Sequence, residues 1–162
     1  MSATRTYEYE SRPFDPAVAR ELSGLDYLRG ILRGDLPAAP IAATLGFTIS
    51  EVDHGRAVFI GTPDRFVYNP IGVVHGGYAA TLLDSAMGCA VHSTLPAGKA
   101  YTTIDLSISL VRSLTERTGP IRSEAKVIHV GGSVVTAEGR IVGADGTLYA
   151  HATTTCLVLS PR

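Results

Sequence analysis

The sequence predicts an α+β domain in which one curled antiparallel sheet wraps around a single long helix. The segment Tyr78–Val91 is rich in alanine and leucine and contains no proline, which predicts a helix that is apolar nearly all round. Segments of strand character precede and follow it, and short turns join most of them. Hairpin turns produce antiparallel sheets. Because the sequence offers the helix no other layer, we expect the sheet to curl around it.

Six segments have strand character, and the turns between most of them contain glycine, proline or aspartate. They are Phe47–Val52, Arg56–Ile60, Tyr101–Arg112, Ile121–Val130, Ser133–Val142 and Thr147–Leu159. The third alternates most clearly and predicts two faces. One face carries Ile104, Leu106, Ile108 and Leu110, and the other carries Thr103, Asp105, Ser107 and Ser109.

A helical extension, residues 1–39, is expected ahead of the main domain, residues 40–162. Residues 1–14 are polar, and we expect them to be loosely ordered. Asp15 with Pro16 and Ser23 with Asp26 predict two helix starts, and Gly34 predicts the end of the second helix.

Composition limits the classes of function. The 162 residues are 45% hydrophobic and 18% charged, with a net charge of −1. The low charge argues against disorder and against nucleic-acid binding, and it indicates surface buried against other subunits. No apolar run is long enough to span a membrane, and Met1–Arg12 lacks the apolar core of a secretory signal. We therefore expect a cytoplasmic protein that binds neither nucleic acid nor a membrane.

The shortage of charge is concentrated in one region. Between Phe66 and Val111 the charged residues are Asp84, Lys99 and Asp105 alone. We expect this region to be the buried centre of the molecule. Asp84 is then the exception, since burying an unpaired carboxylate is costly. It is either a general base or nucleophile, or an acid bonded to a local hydroxyl such as Thr81 or Ser85.

A second candidate feature is His75-Gly76-Gly77, where a loop becomes the long helix. The first N–H groups of a helix lack internal partners and carry partial positive charge, so they suit a developing oxyanion. The alternative is that the glycines only permit a tight turn. Asn69 offers an amide to a substrate, or it simply forms a turn with Pro70.

Other candidates carry weaker signals. The histidines show no metal-binding spacing and Ser85 lies outside any GxSxG motif, so we expect no metal, no cofactor and no serine nucleophile. Cys89 is interpreted as a packing residue. Arg112 either meets a phosphate or is a solvated strand end.

Spacing along the helix constrains any joint action of Gly76 and Asp84. Eight residues separate them, which corresponds to about 12 Å along a helix axis. If both groups act on one substrate, they come from two chains related by a two-fold axis.

The segment Asn69–Asp84, with its N…HGG…D pattern, resembles the signature of hotdog-fold thioesterases of the phenylacetate-degradation (PaaI-like) group. Tyr101–Leu106 and the Gly139-Arg140-Ile141 and Asp145-Gly146 segments resemble later parts of that family, so the likeness covers roughly residues 40–159. It implies a hotdog fold, a homodimer that often pairs into a homotetramer, and hydrolysis of an acyl-coenzyme A thioester in which coenzyme A is part of the substrate.

Carried over by position, the resemblance implies a catalytic carboxylate at Asp84 and an oxyanion donor at Gly76. Asn69 and His75 would position the thioester or the water, and Thr103 would orient the water, with Thr102 as the neighbouring alternative. Further substrate contacts are expected at Gly77, Tyr78, Leu83, Met87, Arg112, Gly132 and Ser133. A non-catalytic acyl-CoA-binding hotdog protein and a hotdog enoyl-CoA hydratase remain the alternative functions.

Overall fold

The computed structural model describes residues 2–13 and 15–160, so Met1, Phe14, Pro161 and Arg162, which belong to the predicted extension and domain, lie outside the described residues. The helices are α1 (Pro16–Glu21), α2 (Gly24–Arg33), α3 (Pro40–Leu45) and α4 (Gly76–His92). The strands are β1 (Phe47–Asp53), β2 (Arg56–Gly61), β3 (Ala100–Leu110), β4 (Ile121–Val130), β5 (Val134–Gly143) and β6 (Leu148–Leu159).

The predicted fold class is confirmed. The six strands form one antiparallel sheet in the order β1-β2-β4-β5-β6-β3. Helix α4 contacts every strand, so the sheet curves around it as in a hotdog fold. Along α4, residues on most sides are buried, as expected for a helix that is apolar nearly all round.

The helix caps predicted in the first forty residues are also confirmed. Ser23 accepts a hydrogen bond from the Asp26 N–H, and Gly34 ends α2 at a φ of +82°, a backbone conformation that favours glycine. The extension is not separate from the core, because α2 packs on β1 and Leu28 is buried in the main hydrophobic cluster. The boundary at residue 40 stays a prediction.

The structure refines one expectation and corrects another. In the single chain, Phe66–Val111 is not buried throughout: α4 is largely buried, but Ile71 is 83% exposed and Leu110 and Val111 are more than half exposed. The strict alternation predicted for β3 is wrong, since the register against β6 shifts between Thr103 and Asp105. This bulge leaves Ile104 exposed instead of inside with Leu106.

Candidate active site

The start of α4 is held by the side chain of His75. Its backbone is extended, and its Nδ1 accepts a hydrogen bond of 2.8 Å from the Gly77 N–H. An accepting Nδ1 carries no proton, so the neutral imidazole has its hydrogen on Nε2. His75 is therefore the N-cap of the helix, and it leaves one exposed N–H donor.

The same bond distinguishes between the two glycines. Among the described residues, the Gly76 N–H has no acceptor, whereas the Gly77 N–H is already used by His75. The leading N–H of a helix points outward at its positive end. Gly76 is thus the free donor here, and the predicted contact between Gly77 and substrate would require His75 to move.

Asn69 folds its own loop. Its Oδ1 accepts hydrogen bonds from the N–H groups of Ile71 (3.1 Å) and Val73 (3.3 Å), which is the Asn-Pro turn foreseen as the alternative role. A cavity of about 260 Å³ nevertheless brings four predicted site residues together. They are Asn69, His75, Gly76 and Arg112.

Asp84 lies in a different place, half-buried on α4. Its Oδ1 accepts a hydrogen bond of 3.0 Å from the Thr103 hydroxyl of β3. The local partners considered from the sequence do not take this role, since Thr81 donates instead to the Gly77 carbonyl. The carboxylate is therefore fixed from the sheet.

The bulge in β3 explains why Thr103 reaches Asp84. Before the bulge Tyr101 and Thr103 face the helix, and after it Leu106 and Ile108 do so. Successive residues of a strand point to opposite faces, so the exposed Thr102 points away from Asp84. The alternative assignment to Thr102 does not fit this arrangement.

Comparison with known proteins bears on the chemistry of this arrangement. Residues 71–150 match the family model described as Thioesterase superfamily. A solved phenylacetic acid degradation-related protein of Ralstonia eutropha JMP134 is 32% identical, with a TM-score of 0.73, over 81% of this chain and 98% of that one.

The chain belongs to the thioesterase superfamily. It has the PaaI-like hotdog fold.

More distant relatives agree with the fold of this thioesterase. The PaaI protein of E. coli is 21% identical, with a TM-score of 0.74, over 88% of this chain and 96% of that one. A curated Halobacterium salinarum protein with a provisional esterase name is 43% identical over 84 residues. That match spans 51% of this chain and 54% of the relative, so the thioesterase aligns with about half the length of that protein.

Three residues predicted to line a substrate groove lie instead in the core of the thioesterase. Leu83 and Met87 are fully buried against β5, where a Cβ at Gly139 would come within 3.2 and 3.0 Å of them. Tyr78 is 3% exposed and packs its hydroxyl against Gly61. A helix that is apolar all round gives no sequence signal for which face meets the sheet, and the structure places these three side chains on the face that packs against it.

The Tyr78 hydroxyl is also without a hydrogen-bond partner among the described residues. Burial raises the pKa of Tyr78 to about 12, so the group stays protonated in the physiological range. It is an uncharged, buried polar group in an apolar setting.

The predicted contacts of coenzyme A do not come together in one chain. Arg112 and the Gly132-Ser133 turn lie at opposite ends of β6. The backbone N–H of Arg112 donates to the Tyr149 carbonyl, and the backbone carbonyl of Ser133 accepts from the Val158 N–H. The nine residue steps from Tyr149 to Val158 correspond to roughly 30 Å of strand. Of these predicted contacts, Arg112 alone shares a cavity with Gly76.

A second cavity was not foreseen. It has a volume of about 470 Å³ and lies between α2, α3, β1 and the helix α4, with Asp84, Ser85 and Cys89 in its wall. The apolar residues Leu28, Ile31 and Leu32 of α2 indicate an apolar wall, but they do not indicate that a space is left beside Asp84.

Cys89 is the remaining candidate nucleophile in the wall of this cavity. Burial and, secondarily, the nearby Asp84 carboxylate raise the pKa of Cys89 to about 12, which disfavours the nucleophilic thiolate. Among residues 2–13 and 15–160, no three metal-ligating side chains cluster. None of the described helices is long and apolar enough to cross a membrane.

Proposed function

We propose that this thioesterase hydrolyses acyl-coenzyme A to the free acid and coenzyme A, without a metal or cofactor, in the cytoplasm. The observation that carries the proposal is the Asp84 carboxylate, held by Thr103 in the wall of a largely apolar cavity. A thioester carbonyl is electrophilic enough to be attacked by water that a carboxylate activates.

In the proposed reaction Asp84 takes a proton from water, and the oxygen forms a bond to the thioester carbon. The carbonyl oxygen becomes an oxyanion, which the Gly76 N–H stabilises at the positive end of α4. The C–S bond then breaks, and the coenzyme A thiolate receives the proton. Thr103 positions Asp84, and His75 offers its Nε2–H to the thioester or the water.

A second route makes Asp84 the nucleophile. Its oxygen attacks the thioester carbon, coenzyme A leaves as the thiolate, and water hydrolyses the resulting anhydride. A single turnover in ¹⁸O-water can reveal this route, because label found in an Asp84 peptide by mass spectrometry requires an anhydride that water opens at the Asp84 carbonyl carbon.

We propose further that each site is completed by two copies of the chain. Gly76 and Asp84 line different cavities, and eight residues of helix put them about 12 Å apart along its axis. Strand β3 is an edge strand with exposed apolar side chains, so it suits pairing with a second copy.

The same strand suggests how the copies meet. Thr103 of β3 contacts Asp84, while Leu110 of β3 lies beside Gly76. Antiparallel pairing of two β3 strands about a two-fold axis near Leu106 brings Thr103 of one copy opposite Leu110 of the other. The resulting homodimer, or a tetramer built from two such dimers, holds two equivalent composite sites.

The Asp84→Ala variant tests the proposed function. We expect it to abolish thiol release from a panel of acyl-CoAs while oligomer size and thermal unfolding stay as in the wild type. Asp64→Ala, which changes an exposed aspartate outside both cavities, is the matched control. Near-normal kcat/KM in Asp84→Ala would refute the assignment.

Mixed dimers test the two-chain site. Gly76→Pro removes the proposed donor, and Asp84→Ala removes the acid. When the two variants are mixed in equal amounts, half of the dimers contain one copy of each. One of the two sites in such a mixed dimer is intact, so about a quarter of the wild-type activity should return. No recovery in verified mixed dimers would exclude the composite site.

A further inference from the structure

We propose that the helical extension forms the acyl pocket of this thioesterase, and that the pocket selects uncharged, medium-length acyl chains. The inference rests on the proposed function and deepens it. It differs from the expectation that the core residues of α4 form the wall, since Leu83 and Met87 do not reach this cavity.

The walls of the larger cavity are mostly apolar and come from the extension, from α3 and from the first two strands. They include Leu28, Ile31, Leu32, Ile41, Phe47 and Phe59. Asp84 belongs to the same wall, so an acyl chain in this space would bring its thioester to the carboxylate. Such a wall favours apolar chains through burial of their surface.

The size of the space indicates the length of the chain. At about 30 Å³ for a group the size of water or methylene, 470 Å³ would hold on the order of fifteen such groups. Part of the space is open to solvent, so an acyl chain of on the order of ten carbons suits it.

The charges of the cavity are all negative. Among the described residues that line it, the ionisable side chains with a formal charge are Glu8, Glu10 and Asp84, and no lysine or arginine joins them. Glu10 is neutralised by Arg12 at 2.7 Å, outside the lining. A dicarboxylic acyl group would meet Asp84 without a compensating cation, so such substrates are disfavoured.

The N-terminal segment is tied over this space. The Arg5 guanidinium donates to the carbonyls of Ala43 (3.0 Å) and Thr44 (2.7 Å) at the end of α3, and it lies 3.9 Å from the centre of the Phe66 ring. Cations at a helix C-terminus are stabilised by the helix dipole. Residues 8–10 are thereby held in the cavity wall.

Two substitutions test the pocket by changing its size, and neither alters a proposed catalytic group. Ala42→Phe fills the space from α3, and Ile31→Ala enlarges it from α2. Ala17→Phe, on the exposed part of α1 and outside the cavity, is the matched control. The readouts are kcat/KM for butyryl-, octanoyl-, decanoyl-, dodecanoyl- and glutaryl-CoA, together with calorimetric affinities for the corresponding alkyl-CoA thioethers.

In the wild type we expect kcat/KM to rise about fourfold per added methylene until the pocket is full, which corresponds to about 0.8 kcal/mol for each. Ala42→Phe should lower the decanoyl-to-butyryl ratio of kcat/KM at least tenfold. Ile31→Ala should move the maximum of kcat/KM to longer acyl chains, and Ala17→Phe should show the chain-length dependence of the wild type. Glutaryl-CoA should be at least tenfold poorer than butyryl-CoA.

The two readouts distinguish the proposals. If no acyl-CoA is hydrolysed but Ala42→Phe still lowers the affinity for the long alkyl-CoA thioethers selectively, the proposed reaction is refuted and the proposed pocket is supported. If hydrolysis occurs and neither folded variant alters the chain-length ratio or the thioether affinities, the pocket is overturned. A wild-type preference for glutaryl-CoA would also overturn it.

Discussion

Replacing Gly76 by proline isolates the one donor on which the oxyanion argument depends. Gly76 is the first residue of α4, its N–H has no acceptor among the described residues, and His75 before it has a φ of −64° and a ψ of 135°. Proline is favoured at the first helical position, and an extended residue precedes it readily. The substitution therefore removes an N–H without breaking a helical hydrogen bond.

Gly76→Pro should lower kcat by about 10²–10³, equivalent to about 2.7–4 kcal/mol of lost oxyanion stabilisation, with little change in thermal unfolding. Proline also adds a Cβ, which at Gly76 would lie 2.7 Å from Cδ1 of Leu110. Gly76→Ala adds the same atom but keeps the N–H, so it controls for that contact. Thiol release gives kcat and KM for both. Equal kcat values for the two variants would refute the role of the N–H.

Two further substitutions follow from individual hydroxyl groups. Thr103→Val removes the donor to Asp84 while keeping the shape, and loss of a bond to a charged group, worth about 1.5–3 kcal/mol, should lower kcat at least tenfold. Thr103→Ser should keep most of the activity, and a fully active valine variant would contradict the positioning role. Tyr78→Phe removes a buried hydroxyl that lacks a partner among the described residues, so urea unfolding should give an unchanged free energy of unfolding or one up to about 1–3 kcal/mol higher. A lower stability, or a fall in kcat/KM, would mean that this hydroxyl has a partner in the assembled enzyme.

Local signals in the sequence predicted most of the fold. The cap at Ser23, the left-handed Gly34 and the apolar helix after Gly77 each depend on short-range chemistry, and each is found where expected. The hairpin at Gly131-Gly132 is likewise set by its turn residues.

The features of the site that the sequence does not predict depend on contacts distant in sequence. Thr103-Ile104-Asp105 continues a regular alternation, and no residue type in it announces a bulge, yet the bulge turns Thr103 towards Asp84. Similarly, the space beside Asp84 arises because α2 and α3 pack over β1 without filling it. Burial at Leu83 and Met87 depends on which face of α4 meets β5, and an evenly apolar helix does not encode that choice.

The proposed division of labour along α4 links catalysis to assembly. The positive end of the helix, where Gly76 is free, is the favourable place for an oxyanion, while an acid at that end would be attracted to the same N–H and occupy it. Placing Asp84 two turns later keeps donor and acid apart within one chain. A second copy then supplies the missing group, so under this proposal an isolated chain holds both halves of the machinery and no complete site. Activity per chain should accordingly fall on dilution as dimers dissociate, whereas a site contained in one chain would be unaffected.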